Sequence, residues 1–95
     1  MKQPAVYILC SNERGTLYVG VTAYLRERVH QHRAGLVDGF TRQHGVRRLV
    51  WYEFHPDMPA AIHRETCLKR WNRSWKLQLV EDLNPTWRDL WNDIA

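Results

Sequence analysis

Arg28 and His32 stand four residues apart, one turn of a helix, so a helix there sets a guanidinium and an imidazole on the same face. Arginine grips a phosphate bidentately, and histidine can donate to it or take a proton near neutral pH. On their own the two could equally line a solvated helix face. Tyr7 and Tyr18 lie upstream in short apolar runs of strand type, "AVYILC" and "TLYVGVT". If those strands pair, two phenols come near a common surface, although tyrosines in strands are ordinarily core or sheet surface. Gly20 follows Tyr18 closely, and a glycine inside a strand marks a bulge or the close approach of a backbone or ligand. Glu65 is the remaining element. Ala61, Glu65, Leu68 and Asn72 form one helical stripe, and a carboxylate within a partly apolar face is costly unless paired. It can pair with Lys69 one turn on, or hold a Mg²⁺ ion that keeps most of its waters and leans on a substrate phosphate.

The elements that must position these groups follow from the pattern around them. Ala5–Cys10 and Thr16–Thr22 are strands, and the polar "SNERG" between them makes the pair a hairpin with a longer loop. Thr22 can cap a helix that carries Leu25 and Val29 on its apolar side, and "AGLVDGF" breaks that helix with two glycines. Arg47–His55 is a third strand, ended by Pro56. Asp57-Met58-Pro59 opens a helix from about residue 60, with proline tolerated in the first turn. Ser74–Leu83 reads as a further helix starting at a serine cap, and Asn84–Ala95 as a short aromatic tail. The order β-β-α-β-α-α predicts an α+β layered domain, a three-stranded, mainly antiparallel sheet flanked by helices.

At 95 residues the chain is expected to be one domain, 1–95, with one compact core. No apolar run approaches the ~20 residues of a membrane span, the first residues lack a signal-peptide core, and Cys10 and Cys67 have neither disulfide nor zinc spacing. A reducing, cytoplasmic setting is expected. The net charge of +4 hides an asymmetry: the last fifteen residues carry −3 and the first eighty +7. With 11 arginines to 3 lysines, the basic part suits a polyanion. "RQHGVRR" (Arg42, Arg47, Arg48) and "LKRWNRSWK" (Lys69, Arg70, Arg73, Lys76) are the runs suited to nucleic-acid phosphates. Trp71, Trp75, Trp87 and Trp91 are expected to pack the core rather than stack bases.

Taken together, "AVYIL" and "LYVG", eleven residues apart from tyrosine to tyrosine, resemble the two-part signature of the GIY-YIG nucleases. The likeness continues through "GVTAYLRERVHQH", "GFTRQHGVRRLVWYE", "AAIHRETCLKRW" and "NPTWRDL", and is nearest to the small single-domain bacterial members. It implies a mixed-sheet nuclease core that hydrolyses phosphodiesters with one divalent ion, Mg²⁺ or Mn²⁺. It assigns Tyr7 and Tyr18 to the two signature tyrosines, Gly20 to the closing glycine, Arg28 to the helix arginine, His32 to a position often held by histidine or tyrosine, and Glu65 to the metal-binding glutamate. Ala5-Val6 and Val19 are mild departures; Val21 stands where some members carry a lysine, and Asn72 is a candidate for the family's additional asparagine. Under this reading, Glu65 holds the ion and Arg28 neutralises charge on the phosphorane. Tyr18, with Tyr7 as neighbour or substitute, orients or deprotonates the water. DNA is expected ahead of RNA, with weak sequence preference. The rival readings are a DNA-binding module of the same fold and an interaction protein that docks through its aromatic tail.

Overall fold

The computed structural model describes residues 2–37 and 39–95. Three strands, β1 (Ala5–Cys10), β2 (Leu17–Thr22) and β3 (Arg48–Phe54), form one sheet in the order β2-β1-β3. Both pairings are antiparallel, so the expected antiparallel sheet is present and the mixed sheet implied by the resemblance is not. The hairpin loop closes through the Ser11 amide donating to the Thr16 carbonyl (3.1 Å) and the Thr16 amide donating to Ser11 Oγ (3.0 Å).

Every residue of β1 is buried because it is the middle strand and both sheet faces are covered. Side chains alternate between the faces. Val6, Ile8 and Cys10 pack with Val19, Val50, Ala61, Leu68, Val80 and Trp87. Ala5, Tyr7 and Leu9 pack on the other side with Leu25, Val29, Val46, Leu49 and Leu90. Burial pushes the Cys10 thiol up to about 11, which keeps it an inert core group. The β1–β3 register slips between Ile8 and Leu9: Ile8 opposes Trp51, Leu9 opposes Leu49, and Val50 is the extra residue. This bulge lets Val50 and Trp51 serve the same core.

The helices are α1 (Leu25–Arg33), α2 (Phe40–Gln43), α3 (Met58–Arg70), α4 (Arg73–Leu83) and α5 (Trp91–Ile94). The two four-residue helices α2 and α5 are additions to the expected order. Asp38, in the expected glycine-flanked break, lies outside the described residues. The caps also differ. The α1 N-cap is Tyr24, whose amide donates to Thr22 Oγ1 (3.0 Å), so Thr22 shapes the turn before the helix. Asp57 caps α3 by accepting from the Ala60 amide at 2.8 Å, and the helix begins at Met58, with Pro59 in the first turn where its missing N–H has no cost. Asn72, not Ser74, caps α4, accepting from the Trp75 amide at 2.9 Å. Its side chain is therefore committed to the helix start.

The aromatic tail is core. Trp87 is 1% exposed, and its indole N–H donates to Glu81 (2.9 Å) while Arg48 donates to its carbonyl (3.1 Å). The Leu90 amide donates to the Leu49 carbonyl (2.8 Å) and the buried Asn84 side chain donates to the Val50 carbonyl (3.2 Å). These bonds blunt the outer edge of β3, which would otherwise offer a free strand edge. Arg33 on α1 pairs with Asp89 and lies over the Trp91 ring, 5.1 Å from its centroid, fastening the tail across that face. Trp71 is partly buried and Trp75 is exposed, so the core expectation holds for Trp87 and fails for Trp75.

Candidate active site

The register of β1 against β2 sets Tyr7 opposite Gly20. A methyl at Gly20 would lie 2.4 Å from Tyr7 Cζ and 2.5 Å from its hydroxyl. The room that the glycine leaves is thus filled by the Tyr7 phenol. Tyr18, two residues earlier on the same face, puts its ring 6.3 Å from that of Tyr7. The two signature tyrosines therefore meet as adjacent-strand neighbours, Tyr7 buried and Tyr18 half-buried.

Helix α1 packs Leu25 and Val29 on the same face of the sheet, which turns His32 inward. His32 is 3% exposed, with Nε2 3.1 Å from the Tyr7 hydroxyl and Nδ1 3.1 Å from Thr41 Oγ1. Its ring also lies 5.6 Å from that of Tyr18. Burial first, and the Arg28 charge second, lower its pKa from 6.5 to about 4. The imidazole is therefore neutral near pH 7, and one ring nitrogen donates while the other accepts. Burial also raises the Tyr7 phenol from 10.0 to about 12, against the downward pull of the Arg28 guanidinium beside it; the charge of Tyr18 and, least of all, that of Glu65 add to the rise. The resting chain Tyr7–His32–Thr41 is neutral and fully hydrogen-bonded, a buried polar network that sets ring orientations.

Arg28 is half-buried, and its Nη1 donates to Gln31 Oε1 (3.1 Å). Its charge acts on both Tyr7 and His32. Glu65 comes from α3, which packs on β2 and β1, and its side chain is 16% exposed with one oxygen 3.1 Å from Lys69 Nζ. Among the described residues no group of three or more His, Cys, Asp or Glu side chains could hold a metal. The donor set fits only an ion that takes a single protein carboxylate and completes its shell with water and phosphate, as Mg²⁺ does. Val21 packs against the opposite core.

Tyr7, Tyr18, Arg28 and His32 thus come together, with Glu65 near enough for its charge to act on Tyr7. Of the basic residues expected at phosphates, Arg48 holds the Trp87 carbonyl, Lys69 holds Glu65, and Arg73 donates to the Arg14 and Gly15 carbonyls of the hairpin loop. Arg42, Arg47 and Arg70 are exposed, and Lys76 is half-buried beside Arg73, Thr16 and Leu17. Thr41 was missed by sequence reasoning. Nothing in "GFTRQHG" marks it as the partner of an imidazole nine residues away, because only the folded path of α2 brings it there. Phe40 was missed likewise. It is 47% exposed and stacks beside Tyr18, ring centroids 6.3 Å apart.

The α+β domain thus gathers two strand tyrosines, a helix arginine and a helix histidine at one face of its sheet, with a carboxylate on α3 whose charge reaches Tyr7. Residues 3–78 match the GIY-YIG catalytic domain, and the chain belongs to that family. Its relatives include UPF0213 proteins from Clostridium perfringens (40% identical, spanning 79% of this chain and 80% of that one) and Haloquadratum walsbyi (38%, 81% and 85%). The fold matches the solution NMR structure of a UPF0213 protein from Bacillus halodurans, with a TM-score of 0.55 and 27% identity over 94% of this chain and 93% of that one. The domain is of the nuclease type, and nucleases of this family typically depend on a divalent metal. No helix among the described residues is long and apolar enough to cross a membrane.

Proposed function

We propose that the protein is a divalent-metal-dependent endonuclease that hydrolyses DNA phosphodiester bonds, selecting by structure rather than sequence, in the cytoplasm. The observation that carries this reading is the convergence of Tyr7, Tyr18, Arg28 and His32 on one face of the sheet, with the Glu65 charge reaching Tyr7 weakly from α3. Bound at Glu65, Mg²⁺ or Mn²⁺ would act as a Lewis acid on the phosphate. Arg28 faces the phosphate and offsets the charge that builds on it. Tyr18, the less buried phenol, orients the attacking water or takes its proton. Tyr7 is a positioning residue: its raised pKa and its bond to neutral His32 hold it as a fixed dipole next to Tyr18. His32, with a lowered pKa, has little tendency to keep a proton and suits relay rather than storage. Arg42, Arg47, Arg48, Lys69, Arg70, Arg73 and Lys76 contribute phosphate attraction and salt dependence.

The Glu65–Lys69 ion pair favours a second reading, a DNA-binding module of the same fold with weak or no turnover. The test is cleavage of labelled duplex, single strand, flap and four-way junction by wild type and Glu65→Ala, each with Mg²⁺, Mn²⁺ or chelator. Metal-dependent cutting by the wild type that Glu65→Ala abolishes is the expected result. Salt-sensitive binding by both proteins with no cutting would establish the module, and cutting that survives Glu65→Ala would remove the carboxylate from the mechanism.

A further inference from the structure

A run of three rings leads from the reaction centre to the surface. Tyr18 stacks beside Phe40, ring planes 26° apart, and Phe40 lies 4.4 Å from His44. Phe40 is 47% exposed and His44 is exposed. The short helix α2 that carries Phe40 also turns Thr41 inward onto His32. The exposed rings are therefore held in fixed register with the buried Tyr7–His32 pair. An exposed phenylalanine backed by a second ring offers a flat apolar face, which suits another planar, apolar-faced group.

Resting on the nuclease reading above, we propose that Phe40, with His44, is a stacking platform for one unpaired nucleobase next to the scissile phosphate. Bases of an intact duplex are stacked on their neighbours and present only their edges in the grooves, so they cannot cover Phe40. A single strand, a flap or an extruded base can. The platform makes the protein a discriminator of base-unpaired nucleic acid, tolerant of sequence because every base has a stacking face. Phe40 and His44 are specificity-determining residues by this account, distinct from the groups that handle the phosphate.

Binding tests this without turnover. In a Glu65→Ala background, a short oligothymidylate is compared with an abasic strand of the same length, on chains with Phe40, Phe40→Ala and Phe40→Trp. Loss of one stacked base should weaken oligothymidylate binding about 5- to 150-fold in Phe40→Ala. The abasic strand should bind the Phe40 and Phe40→Ala proteins alike, and Phe40→Trp should keep the base-dependent difference. Equal weakening of both strands would mean that Phe40 only packs α2 and acts through Thr41 and His32. No weakening of either would remove Phe40 from the substrate path. Either result overturns the platform. If the Glu65-bearing protein cuts nothing while the base-dependent difference persists, the nuclease reading fails and the platform stands.

Discussion

Replacing Gly20 by alanine probes the closest packing in the site. The new methyl would sit 2.4 Å from Tyr7 Cζ and 2.5 Å from its hydroxyl. Carbon atoms are comfortable at about 3.5–4.0 Å, so the phenol must retreat by roughly 1 Å or more. It has little room to do so. Tyr7 is 1% exposed, lies among Leu9, Leu25 and Val29, and has its hydroxyl bonded to His32. Overpacking of this kind costs about 1–3 kcal/mol, which for a domain this size lowers Tm by roughly 4–24 °C. The displaced hydroxyl should also impair whatever activity the Tyr7–His32 bond supports. Thermal and denaturant unfolding read the first effect. A double-mutant cycle locates it: Tyr7→Leu shortens the clashing ring and should recover most of the Gly20→Ala loss, whereas Tyr7→Phe keeps Cζ and should not. A Gly20→Ala protein as stable as wild type, or a cycle without coupling, would refute the packing of phenol against glycine.

Stability should form a plateau in pH, read by denaturant titration. His32 has a folded pKa below its unfolded one, so its contribution is complete above pH 6.5 and is lost as pH falls toward 4, by about 1–3 kcal/mol; His32→Asn should flatten that acid limb. Tyr7 has a raised pKa, so its contribution is complete below pH 10.0 and is lost as pH rises toward 12. Deleting Thr86–Ala95 removes the buried Trp87 and Leu90, and losing one buried tryptophan already costs about 3–5 kcal/mol. The truncated chain should lack cooperative unfolding and near-ultraviolet circular dichroism; a stably folded one that merely lost a partner would restore the docking role of the tail.

Spacing alone carried the strands, the hairpin and the helix pairing Arg28 with His32, because apolar periodicity is local and each element announces its own buried face. The tyrosine signature was also local, and it named the family that the match over residues 3–78 bears out. Other features were settled only by packing. Thr41 meets His32, and Phe40 meets Tyr18, through the path of a four-residue helix too short to show a period. The inward direction of His32 depended on α1 lying against β1, which a helix-face argument leaves open to the solvated alternative. Likewise the tail could have been a docking arm; what made it core was the free edge of β3, whose carbonyls at Leu49 and Val50 take their donors from Leu90 and Asn84. The sequence by itself determined which groups could do chemistry and which elements carry them. Their burial, and with it the neutral state of His32 and the raised pKa of Tyr7, came from long-range packing, since desolvation exists only where distant segments exclude water together.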